Sequence, residues 1–347
     1  MKLKDRFFVF IVLLFLVCLF VFLSRTTYDE VDISSALNKA KANLKENQEI
    51  IVFDSKNPFN FRDILKDLDK ISNQSVYAIL TYPSTQKEKY PVVIGVAGSL
   101  GWSDHHHGYL NRYLDMGIAT ISLHSFASRG IESTVGEQVS VTVAMMVHDS
   151  YMLLNEINRR SNLDTDKVAI TGWSLGGGVS LFSAWKAVQE ELTPNLTFAA
   201  HLPIYPPCIA NVDNLEFSDA PMHIFIGELD NWVPAEPCIE LVENLKSKGK
   251  INAEITVFEN SHHSFDRDSE PRVVDHAYSL TDCRLLLDKD GTVRTEDYHF
   301  PLSNSFLQKI GLYFCASRGP TMGGNPEAAI QAKGISMSFM KKHLLDK

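Results

Sequence analysis

Basic charge is scarce in this chain: 33 lysines and arginines stand against 42 aspartates and glutamates, for a formal net charge of -9. Nucleic-acid binding rests on clustered Lys and Arg that release phosphate counterions, so no nucleic-acid partner is expected. Internal repeats and low-complexity tracts are also lacking, which argues against a solenoid or a disordered chain. No Cys or carboxylate cluster accompanies the single histidine run, His105-His106-His107. Three successive side chains point in different directions on a regular backbone, so neither a metal nor another cofactor is expected, and the run reads as pocket rim. Cysteines number only five, and one of them, Cys18, lies inside an apolar stretch.

That stretch is the one long hydrophobic run, residues 7–23, preceded by Lys2, Lys4 and Arg6 and closed by Ser24 and Arg25. At ~1.5 Å per residue it reaches the short end of a bilayer-spanning helix and exceeds most secretory apolar cores. It is followed by no A-x-A-like cleavage site, and Val17 stands where a lipoprotein signal places a small residue before its cysteine. The run therefore reads as an uncleaved signal anchor, with residues 1–6 cytoplasmic, 7–23 crossing the membrane and the remainder exported by the positive-inside rule. This places the catalytic part in the periplasm or outside the cell, with a bacterial inner membrane as the setting. Residues 24–71 read as a stalk, with a helix-like stretch at 34–46 and a strand-like Ile50-Ile51-Val52-Phe53, and residues 72–347 as the catalytic domain. The remaining cysteines, Cys208, Cys238, Cys283 and Cys315, are even in number and fit two disulfides in an oxidising compartment, with three pairings open.

Past the stalk, short β-branched runs at 76–81, 92–96, 119–123, 168–171, 199–204, 223–226 and 254–258 alternate with longer helical stretches. This is the rhythm of an α/β protein with a mostly parallel sheet and helices on both faces. The clearest helix is 142–157, where Val143, Met146, Val147, Leu153, Leu154 and Ile157 recur near the helical period. A hairpin with Asp290-Gly291 in its turn is expected as an insertion around 283–300.

Chemistry concentrates at Gly172-Trp173-Ser174-Leu175-Gly176, which follows the strand Val168-Ala169-Ile170-Thr171 and opens a helical segment. A serine held on so tight a strand-to-helix turn is strained, and glycines two residues away on either side let strand and helix approach. A serine hydroxyl needs a base to take its proton, and the base needs an acid to orient it. Asp230 follows the strand at 223–226, and His263 follows the strand at 254–258. Strand C-terminal ends share one edge of a parallel sheet, so Ser174, Asp230 and His263 should converge there. Glu228 and Glu236 compete with Asp230, and His262 with His263. Developing oxyanion charge calls for two backbone donors. Leu175 supplies one, and the loop Ala97-Gly98-Ser99-Leu100-Gly101 should supply the other through Ser99.

These residues resemble the dienelactone hydrolase family, in its serine-nucleophile branch. Besides the G-W-S-L-G-G elbow, the blocks that carry the likeness are His124-Ser125-Phe126-Ala127-Ser128-Arg129-Gly130, Tyr205-Pro206-Pro207-Cys208, the segment 227–238 and His263-Ser264-Phe265-Asp266. Together they span roughly residues 76–343. The resemblance implies the α/β-hydrolase fold and favours His263, through its H-x-F-D block, as the base. Three departures stand out: Ser174 where the founding members have Cys, Ala97 where the family usually has His, and His124 in place of Asp. Gly98 also stands where the founding enzymes carry an acidic residue, which removes its control over the nucleophile.

Arg129 could bind a substrate carboxylate through its planar fork or pair with a buried carboxylate. Trp102, Trp173 and Trp232 lie beside the expected site and could shape an apolar pocket, with Trp173 partly core. Cys208 and Cys238 follow neighbouring strands at the catalytic edge, so they are expected to pair and brace the acid loop, leaving Cys283 for Cys315. The expected activity is acyl transfer to water, cleaving a small-molecule carboxylic ester or lactone through an acyl-enzyme on Ser174. The rivals are a prolyl-oligopeptidase-like peptidase and an inactive, membrane-tethered binding module that keeps the fold.

Overall fold

Strands buried along their whole length must be covered on both faces, as Tyr90–Val96 and Ala119–Leu123 are. The computed structural model, which describes residues 24–211, 216–249 and 252–346, assembles such strands into one eight-stranded sheet. In chain order its strands are β1 (Gln48–Lys56), β2 (Asn73–Thr81), β3 (Tyr90–Val96), β4 (Ala119–Leu123), β5 (Leu163–Trp173), β6 (Ala200–Ile204), β7 (Met222–Gly227) and β8 (Ala253–Phe258). They lie side by side as β1-β2-β4-β3-β5-β6-β7-β8. β2 runs antiparallel to both β1 and β4, and every other pair is parallel. All seven expected strands are in this sheet, which has the α/β-hydrolase form.

Helices α1 (Ser34–Lys41), α2 (Phe61–Asp67), α3 (Asp104–Asp115), α4 (Val143–Asn158), α5 (Leu175–Phe182), α6 (Lys186–Leu192), α7 (Ala235–Ser247), α8 (Ser305–Cys315) and α9 (Pro326–Met340) complete the unit. α4 begins where Thr142 accepts the Met145 N–H at 3.3 Å, and it buries eleven residues, Met145, Leu153 and Ile157 among them. Such burial, more than intrinsic propensity, is what holds a helix of this length.

The boundary expected at residue 71 moves. β1, read as part of a stalk, pairs with β2 over nine residues from Gln48 to Lys56. α2 buries Phe61 and Ile64, and the Tyr28 hydroxyl donates to the Val139 carbonyl at 2.5 Å. Residues 24–71 therefore pack as part of the sheet unit. α1 ends at Lys41, short of the expected 46, and buries none of its residues. The expected cytoplasmic residues 1–6 and membrane span 7–23 lie outside the described residues; among those described, no helix is long and apolar enough to cross a membrane.

The hairpin consists of β9 (Leu285–Leu287) and β10 (Val293–Thr295) around Asp290-Gly291. Gly291 has φ +86°, and a Cβ there would fall 2.3 Å from the Arg62 nitrogen, so glycine is needed for both turn and docking. Arg62 N–H in α2 donates to the Gly291 carbonyl at 3.1 Å. Two disulfides, Cys208–Cys238 and Cys283–Cys315, tie the loop after β6 to α7 and the hairpin segment to the end of α8.

Candidate active site

Because β3, β5, β7 and β8 are parallel, the segments leaving their C-terminal ends meet at one edge of the sheet. Ser174 stands between β5 and α5 with φ 56° and ψ -115°, a conformation that costs a non-glycine residue about 1–3 kcal/mol and is held only by its surroundings. Those surroundings are the glycines. A Cβ on Gly172 would lie 2.1 Å from the Gly176 carbonyl oxygen, and one on Gly176 would lie 2.1 Å from the Val96 carbonyl oxygen. Strand β5, helix α5 and strand β3 thus approach more closely than any side chain allows.

His263 and Asp230 reach Ser174 from β8 and β7. His263 Nε2 lies 2.9 Å from Ser174 Oγ, and His263 Nδ1 lies 2.7 Å from Asp230 Oδ2. The other carboxylate oxygen of Asp230 accepts the N–H groups of Trp232 at 2.9 Å and Val233 at 3.0 Å, which fixes the acid loop. His263 and Asp230 are buried, at 2% and 5% exposure. The competing residues are turned elsewhere: His262 Nδ1 meets the Leu229 carbonyl at 3.1 Å, Glu228 accepts the Asn260 N–H, and Glu236 faces Arg284 at 3.6 Å.

The oxyanion loop closes as a turn in which Gly101 N–H donates to the Gly98 carbonyl at 2.9 Å. A Cβ on Gly98 would lie 3.3 Å from the Ser174 Cβ, so this turn runs directly alongside the serine. Ser99 lines the same cavity as Ser174 and is held by its carbonyl, which accepts Thr134 N–H and Ser133 Oγ–H at 3.0 Å each. Leu175 is the first residue of α5, and first-turn N–H groups have no acceptor within their own helix. Leu175 also lines a separate apolar cavity of about 200 Å³.

Trp173 and Trp232 line the Ser174 cavity together with His106, Tyr205, Arg267 and Met322. The Trp232 ring lies over His263, with centroids 5.0 Å apart. Trp102 stands one layer back, donating its indole N–H to the Leu123 carbonyl at 3.1 Å. The histidine run divides its contacts. His106 packs against Trp173 with ring centroids 4.5 Å apart, His107 stacks on Trp102, and His105 faces Asp266 at 3.8 Å. Burial pushes the His105 imidazole down to about 2 and His106 well below its ordinary value, so both are neutral beside His263.

Arg129 does not reach the cavity. Its guanidinium is buried and fully engaged, with Nη1 and Nη2 on Asp149, Nε on Asn57 and further bonds to the Ser125 and Lys56 carbonyls. Of the two roles open to it in sequence, pairing with a buried carboxylate is the one the structure assigns. Two residues were given no role at the site from sequence. Tyr205 packs its ring edge on His263 and donates its hydroxyl to Asp266 at 2.9 Å, behind the catalytic edge. Arg267, four residues past His263, lines the cavity and donates to Ser103 Oγ at 3.3 Å. The signal that could have found Tyr205 and Asp266 was their place in the Y-P-P-C and H-S-F-D blocks.

Comparison with known proteins gives one family. The model of the dienelactone hydrolase family matches residues 76–284, more than half of the chain. No curated protein matches in sequence. Among solved structures, the chain is similar in fold to esterase 2 of Thermogutta terrifontis with propionate bound, at 17% identity and a TM-score of 0.46, over 64% of this chain and 86% of that one. The apo form of the same esterase is similar at 18% identity and a TM-score of 0.46, over 65% and 87%. Est1E from Butyrivibrio proteoclasticus is similar at 16% identity and a TM-score of 0.43, over 56% and 88%.

Proposed function

Since the chain belongs to the dienelactone hydrolase family and is a hydrolase acting on ester bonds, we propose that Ser174 is its nucleophile, His263 its general base and Asp230 the residue that orients the base. The observation that carries this reading is the hydrogen-bonded line from Ser174 Oγ through His263 to Asp230, with distances of 2.9 Å and 2.7 Å.

The chemistry follows from that line. Asp230 accepts the Nδ1 proton of His263, which leaves Nε2 with its lone pair toward Ser174. His263 takes the serine proton as Oγ attacks the ester carbonyl, and the N–H groups of Leu175 and Ser99 receive the negative charge that develops on the carbonyl oxygen. The protonated imidazole then gives its proton to the leaving alcohol. A water molecule, deprotonated by the same nitrogen, releases the acyl group and restores the serine.

The substrate in this reading is a small-molecule carboxylic ester or lactone, with Trp173 and Trp232 flanking the acyl group. Supporting it is the lining of the cavity beside Ser174, where Trp173, Trp232 and Met322 supply apolar surface around the nucleophile. The enzyme is anchored in the membrane by residues 7–23, with the catalytic unit on the oxidising side, a placement that suits its two disulfides. Extraction of membranes with alkaline carbonate tests the anchor: protein in the supernatant overturns it.

A fluorophosphonate should label the protein at Ser174, and Ser174→Ala should abolish labelling. His263→Ala should lower kcat/KM on an activated short-chain ester by about 10⁵-fold or more, and Asp230→Asn by about 10⁴-fold, through the wrong imidazole tautomer. His262→Ala should leave the rate within about twofold, as a partly exposed residue away from the reacting atoms. Full activity in Ser174→Ala, or equal losses at 262 and 263, would refute the assignment.

A further inference from the structure

Helix α8 turns a row of aromatic rings to solvent. Phe306, Tyr313 and Phe314 are 57%, 82% and 72% exposed, and Tyr298 in the preceding loop is 83% exposed. Residues seven and eight apart share one helix face, and exposed Lys309 stands on that face between them. The opposite face is packed, with Leu307, Gly311 and Leu312 buried. A Cβ on Gly311 would fall 2.2 Å from Leu302, and the helix ends in the Cys283–Cys315 bond. Rotation that would bury the rings is therefore blocked at the middle and at the end of the helix.

What covers this face is indicated by the chain that leads into it. Asn304, which caps α8 by accepting the Leu307 N–H, also donates through Nδ2 to the Ser24 carbonyl at 3.0 Å and to Ser24 Oγ at 3.2 Å. Ser305 N–H donates to Thr26 Oγ1 at 2.7 Å. Ser24 directly follows the apolar run 7–23. One residue advances the chain by at most ~3.6 Å, so no linker separates the end of that run from the first turn of α8.

We propose that α8 lies in the interfacial layer of a phospholipid bilayer, its aromatic face among the headgroups and upper acyl chains and Lys309 toward the phosphates. The inference rests on reading residues 7–23 as an anchor. Tyr and other amphipathic rings settle at this depth, and a helix with one apolar face lies in the plane of the interface. The protein carries a net charge of -9, so apolar contact, not attraction to anionic lipid, supplies the binding. Behind the same helix, Leu302 and Leu312 line the apolar cavity of about 200 Å³ that reaches Leu175, the residue after the nucleophile. The seated enzyme is held beside esters dissolved in the bilayer.

The test uses the full chain in phosphatidylcholine–phosphatidylglycerol vesicles, with and without phosphatidylcholine brominated in the upper acyl chain. In Phe314→Trp, the added indole emission should be quenched at least about twice as strongly as the emission of the unsubstituted chain. Replacing Phe306, Tyr313 and Phe314 together by Ser should lower hydrolysis of a long-chain ester carried in the vesicles by about fivefold or more, while a water-soluble short-chain ester is cleaved as before. An indole at 314 no better quenched than the native tryptophans overturns the proposal, whether the face is then covered by a second copy or by another protein. Carbonate extraction of the same vesicles separates the two readings. Protein that stays with the lipid while the indole escapes quenching defeats α8 seating alone; protein that washes off defeats the anchor and the seating that rests on it.

Discussion

The Arg129 guanidinium holds both oxygens of the Asp149 carboxylate, Nη1 at 2.8 Å from Oδ2 and Nη2 at 3.0 Å from Oδ1. The pair joins the loop after β4 to the middle of α4, and Ser55 of β1 adds a hydrogen bond to Asp149 at 2.5 Å. Three separate stretches of chain are thereby fixed around one buried charge pair.

Removing one partner of such a pair leaves the other charged and dry. Arg129→Leu should lower the free energy of unfolding by about 3–5 kcal/mol, read as the urea midpoint of the detergent-solubilised chain. The KM for small esters should stay where it is. A raised KM with an unmoved midpoint would return Arg129 to substrate binding.

Two glycines should respond oppositely to the same substitution. At Gly176 an added Cβ would lie 2.1 Å from the Val96 oxygen and 2.6 Å from the Ala97 oxygen, both backbone atoms that cannot step aside. Gly176→Ala should prevent folding or displace Ser174 and abolish activity. At Gly334, inside α9, a Cβ would meet nothing within 4 Å. Gly334→Ala should therefore raise stability by about 0.5–1 kcal/mol, the gain in helix propensity. Melting temperatures of the two variants check both expectations.

Acid should unfold the protein through its buried histidines. Burial lowers His124, His148 and His201 each to about 4, from an ordinary 6.5. Below pH 6.5 the unfolded chain takes up protons at these residues and the folded chain does not. Stability is therefore fully present above about pH 6.5 and is lost as pH falls toward 4. Urea midpoints across that range should fall steadily, and His201→Gln should flatten the decline. A midpoint constant from pH 7 to 4 would contradict the shifts.

Much of the fold could be read in advance because the sheet's inner strands are built around short apolar, β-branched runs. β1 was harder. It alternates along its length, with Val52 nearly half exposed and Ile51 and Phe53 buried, and an edge strand of that kind looks like a polar linker with a few apolar residues. The elbow was legible because its geometry demands glycine at fixed offsets from the serine, so chemistry and spacing coincide. Arg129 was not resolvable for the opposite reason. Its partners Asn57, Lys56 and Asp149 lie 72, 73 and 20 residues away, and no local pattern connects them. His262 and His263 are adjacent in sequence, and only the fold tells them apart, setting His263 between Ser174 and Asp230 and His262 on the Leu229 carbonyl.

The contacts between Ser24 and Asn304 join residues 280 positions apart. The ribosome makes the second of them 280 residues after the first. A contact so distant along the chain carries a large closure entropy and forms late. The sheet and the disulfide between Cys208 and Cys238 can assemble while the partner of Ser24 has yet to be translated. The seam between the start of the described chain and α8 therefore closes only once Asn304 has been made, and the core is still incomplete at that point, because Ala332, Phe339 and Met340 of α9 are buried in it.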